Sequence, residues 1–237
     1  MQFMRTFVVM MALAGCNHEN AAVDAAVPID AVRIDAKPDA APVALDCPSY
    51  CAEIQANCTG VNAQYPDLPH CISTCHSFTV GASQVTDTSG NTLGCRIYHA
   101  GAPSMAAPET HCVHAGPAGD LVTASAPAFC SGGDVCASFC ALEIMACGSQ
   151  TNPLPGNPTD SVDHNPLYQY QHVANCMAEC SLFDKTHAYS TAAVGDSLAC
   201  RLFQATEAAI AVVPNGAMHC SETATLTMGV CTGAAMP

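Results

Sequence analysis

The chain has 237 residues, of which 50% are hydrophobic and only 11% are charged, and its formal net charge is -14. Six Lys and Arg residues cannot form the basic surface that displaces phosphate counterions, so the composition excludes direct nucleic-acid binding. The 17 cysteines predict an oxidising, exported location, because reduced cytosolic proteins rarely contain so many.

Residues 1–15 predict a lipoprotein signal peptide. Arg5 precedes an apolar run that is too short to span a bilayer, and the segment LAGC at residues 13–16 resembles the bacterial lipobox. The resemblance implies that Cys16 carries a diacylglycerol, so that the lipid bilayer is a partner of the chain. Because Asn17 rather than Asp follows the cysteine, it also implies an outer-membrane lipoprotein that faces the periplasm or the cell surface.

Residues 16–45 predict a lipidated, disordered tether of Ala, Asp and Pro. The segment contains no aromatic residue and no usable periodicity, so burial cannot offset the entropy of ordering it. With Cys16 set aside for the lipid, 16 of the 17 cysteines remain, an even number that can all form pairs.

The remaining cysteines form two matching sets of eight. Both sets follow the spacing C-x3-C-x6-C, then a variable gap, then C-x3-C-x19-C, and the residues around the cysteines also match. This pattern predicts a tandem duplication, with one cysteine-rich helical module at residues 46–130 and a second at residues 131–237. The second module adds a Pro/Asn-rich stretch at residues 151–165, which predicts a surface loop.

Cysteines four residues apart predict two helices in each module. Cys47, Cys51 and Cys58 fall on one face of an α-helix, and Asp46 is placed to cap its start. The next helix again presents two cysteines one turn apart, and two such antiparallel helices can be joined by two parallel disulfides. We therefore predict four disulfides, namely Cys47–Cys75, Cys51–Cys71, Cys136–Cys180 and Cys140–Cys176.

The predicted fold class is mainly α and disulfide-rich. Each of the two tandem modules contains a stapled antiparallel helical hairpin and a third helix, around Cys95 in the first and Cys200 in the second. The thin core predicts that covalent links compensate for limited apolar burial. The sequence leaves the other pairings open but places them within each module: Cys58, Cys95, Cys112 and Cys130 in the first, and Cys147, Cys200, Cys220 and Cys231 in the second.

Residues 71–76, CISTCH, resemble a haem-attachment motif with one extra spacer residue. In the usual C-x-x-C-H form both thiols bond the haem and the histidine ligates iron, which makes Cys71, Cys75 and His76 the haem candidates. The corresponding residue in the second module is Ser181, and the two cysteines have a better use as staples. We therefore expect no cofactor.

Histidines lie beside two of the matched cysteines. His111 and His114 flank Cys112, and His219 precedes Cys220. A thiolate ligand would leave an unpaired cysteine, so a zinc site would need histidines and carboxylates. We assign no metal site, because His111 and His219 are explained as capping or hydrogen-bonding residues beside a disulfide.

No catalytic constellation is present. The sequence contains neither G-x-S-x-G nor H-E-x-x-H, and no two cysteines have C-x-x-C spacing, so we predict that the protein is not an enzyme. Arg96 and Arg201 occupy matched positions, and we expect each to bind an acidic side chain or helix-end carbonyls within its own module.

Two resemblances support this architecture. The hairpins are similar to the twin C-x3-C hairpins of the small mitochondrial translocase chaperones, over the hairpin only. The whole chain resembles cysteine-rich tandem-repeat lipoproteins of myxobacteria-like bacteria, through the lipobox, the tether, LGCRIYHAG at residues 93–101 and HCVHAGP at residues 111–117. The second module departs from these motifs, with Gln204 in place of His99, and the resemblance implies architecture without an activity.

The sequence therefore predicts a membrane-anchored exported lipoprotein that acts as a disulfide-stabilised structural or binding module. Its expected partners are the bilayer, through Cys16, and a protein or other envelope component that the sequence does not identify. The alternative is a periplasmic redox or metal/haem-binding protein that uses His76, His111 and His114.

Overall fold

The computed structural model describes residues 43–121, 129–148, 169–210, 215–224 and 229–232. These residues lie in one compact unit, and their regular secondary structure is helical apart from a single β-bridge between Thr79 and Thr92. The predicted signal peptide, the lipidation site Cys16, the tether up to residue 42 and the predicted surface loop at residues 151–165 lie outside the described residues.

The helices confirm the mainly α fold class. The first cysteine set, residues 47–130, contains α1 (Cys47–Asn57), a 3-10 turn (Gly60–Asn62), α2 (Leu68–Cys75), α3 (Leu93–Ala100), α4 (Ala102–Ala106) and α5 (Pro108–Ala115). The second set, residues 136–231, contains α6 (Val135–Cys147), α7 (Val173–Cys180), α8 (Leu198–Ile210) and α9 (Asn215–Ser221). None of the helices in the described ranges has the length and apolar character needed to cross a bilayer.

Side-chain caps fix the starts of the first helix of each set. Asp46 accepts a hydrogen bond from Ser49 N at 2.8 Å, and Asp134 accepts one from Cys136 N at 2.9 Å. Each carboxylate satisfies one of the N–H groups that a helix start leaves without a partner. Gly148 ends α6 with a φ of 76°, a conformation that glycine adopts without steric cost.

Four disulfides join the first two helices of each set. Cys47–Cys75 and Cys51–Cys71 link α1 to α2, and Cys136–Cys180 and Cys140–Cys176 link α6 to α7. Their Cα atoms lie 5.6 to 5.8 Å apart, which is the usual separation for a disulfide. These are the same four pairs that the i, i+4 spacing predicts.

The other four disulfides involve α3, α5, α8 and α9, and they give the pairings that the sequence leaves open. Cys58–Cys112 links α1 to α5 and Cys95–Cys130 links α3 to the end of the first set. Cys147–Cys220 and Cys200–Cys231 make the corresponding links in the second set. Every cysteine of the described residues is therefore paired, which indicates an oxidising, exported location.

Aromatic side chains fill the space between the stapled helices. Tyr50 is fully buried, and its hydroxyl donates to Ala115 O at 2.6 Å and lies 2.9 Å from the hydroxyl of Tyr65. In the second set Phe139 occupies the position of Tyr50 and has no hydroxyl, and Tyr170 donates instead to Thr223 O at 2.7 Å. The phenol groups of Tyr50 and Tyr170 therefore donate to corresponding backbone carbonyls, although among the described residues only the first set adds a second tyrosine hydroxyl.

The interior also contains two buried guanidinium groups. Arg96 and Arg201 lie over the rings of Phe78 and Phe183, with Cζ 4.0 and 4.2 Å from the ring centroids. Arg201 Nη2 lies 2.7 Å from the Asp196 carboxylate, and its other donors bind the carbonyls of Ser197 and Ala224, within its own set as expected.

Arg96 departs from that expectation, because its contacts extend into the other set. It donates to Gly116 O at 3.3 Å and to Asn91 Oδ1 at 3.0 Å within the first set. Its Nη2 donates to Ser138 Oγ on α6 at 3.1 Å. Helix α6 begins at Val135, only a few residues after Cys130, and this short connection keeps Ser138 within reach of Arg96.

A second polar contact joins the two sets. His70 Nδ1 lies 2.6 Å from Asp67 Oδ1, and its Nε2 lies 3.0 Å from Glu207 Oε1 on α8. Helices α2 and α8 pack together around this buried imidazole.

Candidate metal centre

Three histidines come together where α3 meets α5. His99 lies in the last turn of α3, and His111 and His114 are three residues apart on α5, so they project from neighbouring positions of one helix face. One ring nitrogen of each histidine lies within 4.8 Å of a ring nitrogen of both others. His99 and His114 are buried and His111 is half-buried, so the cluster has one side toward solvent.

Disulfides hold both helices that carry the cluster. Cys95 lies one turn before His99 and is bonded to Cys130, and Cys112 lies between the other two histidines and is bonded to Cys58. The backbone on which the three rings stand is therefore cross-linked on both sides, which limits how far the rings can move apart.

Hydrogen bonding fixes the tautomer of His99. Its Nε2 lies 3.2 Å from Thr88 O, and because a carbonyl only accepts, Nε2 must carry the proton. Nδ1 of the neutral ring then holds a lone pair, and His111 Nδ1 lies 2.8 Å from it as the donor. The two rings are stacked with centroids 5.0 Å apart.

One ring nitrogen of His114 faces a carboxylate, and the other has no hydrogen-bond partner in the described part of the chain. Its Nε2 lies 3.6 Å from Asp120 Oδ2, while its buried Nδ1 has no hydrogen-bond partner among the described residues. Asp120 has a φ of 127°, the only positive φ of a non-glycine residue in the described ranges. Such strained backbone tends to occur where the position of a side chain matters for function.

Burial favours the neutral form of His99 and His114. The ring of Phe129 lies 4.4 Å from that of His114 and 5.5 Å from that of His99, centroid to centroid, and it shields them from water. Burial lowers the pKa of His99, with a further contribution from His111. Burial and then the neighbouring His99 and His111 lower the pKa of His114 to about 4. Neutral imidazole is the form that binds metal ions.

The second set lacks this cluster. Gln204 takes the place of His99, and its Oε1 lies 2.8 Å from His219 Nδ1, as His99 lies from His111 in the first set. Glu222 takes the place of His114, and its carboxylate accepts from Cys231 N at 3.2 Å. The second set therefore retains the hydrogen bond but has one imidazole where the first set has three.

The structure separates the candidates named from the sequence. His111 and His114 lie together, whereas His219 belongs to the different environment around Gln204. His76 is exposed at the end of α2. Both cysteines of the haem-like motif are in disulfides, so their thiols are unavailable to a haem.

His99 is the member of the cluster that sequence reasoning missed. A signal was present, because the tripeptide His-Ala-Gly occurs at residues 99–101 and again at residues 114–116. Both histidines of this repeated tripeptide are replaced in the second set, by Gln204 and Glu222. That paired difference would have identified them as partners.

The fold and this cluster define a disulfide-rich helical protein with a three-histidine site. Over residues 45–138 the chain is similar to the C-terminal domain of the BfoA family, and the match includes the first cysteine set, the histidine cluster and the start of α6. No curated protein and no solved structure matches the chain.

Proposed function

We propose that this protein is an exported lipoprotein, attached to the outer membrane through Cys16, whose cysteine-rich part is a disulfide-stabilised structural or binding module. The observation that carries the proposal is the pairing of the cysteines. The eight disulfides use 16 of the 17 cysteines and leave over Cys16, which directly follows Leu13, Ala14 and Gly15 at the end of the apolar leader.

The anchor and the tether have separate roles in this proposal. Two or three acyl chains hold the chain on the bilayer far more firmly than a single chain does. Residues 16–45 form a tether with a root-mean-square span of roughly 30 Å, which lifts the folded part away from the lipid surface. The outer membrane is the proposed location because Asn17 follows the cysteine.

The folded part is proposed to be a tandem duplication. The two sets share their cysteine spacing, and corresponding cysteines form corresponding disulfides, which supports modules at residues 46–130 and 131–237. The paired cross-links within each hairpin suit a protein that presents a durable surface outside the cytoplasm, where disulfides form and persist. The haem alternative draws no support, because Cys71 and Cys75 already serve as staples.

The test is metabolic labelling of the full chain in a Gram-negative host with an alkyne analogue of palmitate. We expect label on the native chain and in the outer-membrane fraction, and no label after Cys16→Ser. A matched control, Asn17→Asp, keeps the cysteine and should remain labelled while moving to the inner membrane. Label that persists in Cys16→Ser, or a native chain that takes up none, would refute the proposal.

A further inference from the structure

We infer that His99, His111 and His114 bind one divalent transition-metal ion, for which Zn²⁺ is the probe. The inference names a ligand for the proposed binding module and rests on that part of the proposed function, not on the lipid anchor. Three imidazoles with a fourth position open to water form a donor set that zinc sites commonly use.

The nitrogen atoms are already close to the required geometry. In a tetrahedral zinc site with Zn–N bonds of about 2.0–2.1 Å, neighbouring nitrogens lie about 3.3 Å apart. His99 Nδ1 and His111 Nδ1 are 2.8 Å apart, and all three histidines offer a nitrogen within 4.8 Å of the others. Small rotations of the side chains would bring three nitrogens to the same ion, with no change in the cross-linked backbone.

The groups behind the rings orient them for binding. The carbonyl of Thr88 accepts from His99 Nε2, which directs the Nδ1 lone pair into the cluster. Asp120 Oδ2 lies 3.6 Å from His114 Nε2, on the side away from the Nδ1 that has no partner in the described part of the chain. A carboxylate or carbonyl behind a ligating imidazole is the usual outer shell of a metal site.

Only one proton has to move. His111 donates through Nδ1 to His99 in the absence of an ion, so this nitrogen must be freed when it becomes a ligand. The proton passes to Nε2 of the same ring by exchange with water, which is accessible because His111 is half-buried. The ring stays neutral, and the ion replaces a single hydrogen bond with three coordination bonds.

The second set serves as a built-in comparison. Gln204, His219 and Glu222 supply one imidazole, an amide oxygen and a carboxylate that is engaged with Cys231 N. This arrangement lacks the neutral three-nitrogen donor set, so we expect one bound ion for each chain rather than two.

The experiment titrates Zn²⁺ into the full chain, purified in detergent with its disulfides intact and stripped with a chelator. Calorimetry and elemental analysis should give one equivalent. His99→Gln should lower the affinity by roughly 100-fold or more, a larger loss than outer-shell changes cause. It introduces the residue found at this position in the second set, so the hydrogen bond from His111 is retained. His219→Gln, the matched control, should leave binding unchanged.

Asp120→Asn tests the outer shell separately. It preserves the side-chain shape and tolerates the positive φ, and it should weaken Zn²⁺ binding by about 10- to 100-fold. Folding of each variant is checked by a free-thiol count equal to that of the native chain, and His114→Gln replaces His99→Gln if the latter misfolds. Native protein that binds no Zn²⁺, or binding that survives the loss of a cluster histidine, would overturn the inference. Lipid labelling of the same sample shows whether the anchor proposal stands independently.

Discussion

Glu143 and Thr223 share a hydrogen bond in which the carboxyl group, rather than the hydroxyl, supplies the proton. Glu143 is fully buried, and its Oε1 lies 2.8 Å from Thr223 Oγ1, which also lies 2.7 Å from Cys220 O. A hydroxyl has one proton, and the carbonyl can only accept it. Thr223 therefore donates to Cys220 O, and the acid form of Glu143 donates to Thr223. Burial raises the pKa of Glu143 to about 8, in agreement with this arrangement.

The first prediction is that the contribution of Glu143 to stability falls as pH rises from about 4.5 to about 8. In the unfolded chain the Glu143 carboxyl ionises at the ordinary glutamate pKa of 4.5, whereas in the folded chain it keeps its proton up to a pKa of about 8. Between these values the folded state binds one more proton, so the free energy of unfolding loses up to about 1.4 kcal/mol per pH unit.

Glu143→Gln tests this prediction, because the amide is neutral at every pH. Urea unfolding of the native chain and the variant at several pH values isolates the contribution of Glu143, since all other titrating groups are common to both. The variant should gain stability relative to the native chain as pH rises. Parallel pH profiles for the two proteins would show that Glu143 ionises normally in the fold.

The second prediction is that Asn91→Asp stabilises the protein by about 1–2 kcal/mol, because hydrogen bonds between charged groups are stronger than those to a neutral amide. Arg96 is fully buried, burial lowers its pKa, and no carboxylate contacts it among the described residues. At the corresponding place in the second set, Asp196 lies 2.7 Å from Arg201. A carboxylate at residue 91 would accept from Arg96 and from Ser138, which both already donate to Asn91 Oδ1.

Thermal or urea unfolding measures the effect of this substitution. Asn91→Ala is the control: it removes the acceptor and should destabilise the chain by about 1–3 kcal/mol, because two buried donors lose a partner. A variant with Asp at residue 91 that is no more stable than the native chain would mean that the amide already compensates the charge of Arg96.

The third prediction concerns the unequal value of the disulfides. Cys47–Cys75 and Cys51–Cys71 lie one turn apart and close loops of 28 and 20 residues between the same two helices. Once one of them is formed, the other constrains only a short further stretch of the unfolded chain. Cys58–Cys112 closes a loop of 54 residues and ties α1 to α5.

Replacing Cys58 and Cys112 by Ser should therefore cost about 1–2 kcal/mol more than replacing Cys47 and Cys75 by Ser. The midpoints of urea unfolding of the two double variants measure the difference, with the native chain as reference. Equal losses, or a larger loss at Cys47 and Cys75, would contradict the argument from loop entropy and point to strain or packing as the main term.

The helices and the four staples follow from the sequence because their cause is local. The i, i+4 spacing puts Cys47 and Cys51 on one helix face whatever the rest of the chain does, and a second helix with the same spacing has only one antiparallel way to meet it. The partner of Cys58 could not be chosen, because several cysteines lie at suitable separations and only the packing of α5 selects Cys112.

The histidine cluster was hidden for a related reason. His111 and His114 share a helix, so their spacing shows that they are neighbours, but His99 is on another helix whose approach depends on the disulfides of both. A comparison of the two sets also fails to find the cluster when it considers only the positions at which both sets have the same residue. At residue 99 it is the mismatch with Gln204 that marks the site.

The hydrogen bond between Arg96 and Ser138 crosses the boundary that the disulfides draw between the two cysteine sets. The last disulfide of the first set ends at Cys130. The buried guanidinium of Arg96, however, donates to Ser138, which lies eight residues later on the first turn of α6. A fragment that ends at Cys130 would keep all four disulfides of the first set, but Arg96 Nη2 would lose its acceptor, Ser138 Oγ. A unit that keeps every hydrogen bond of Arg96 has to run through residue 138, which is where the similarity to the BfoA family domain ends.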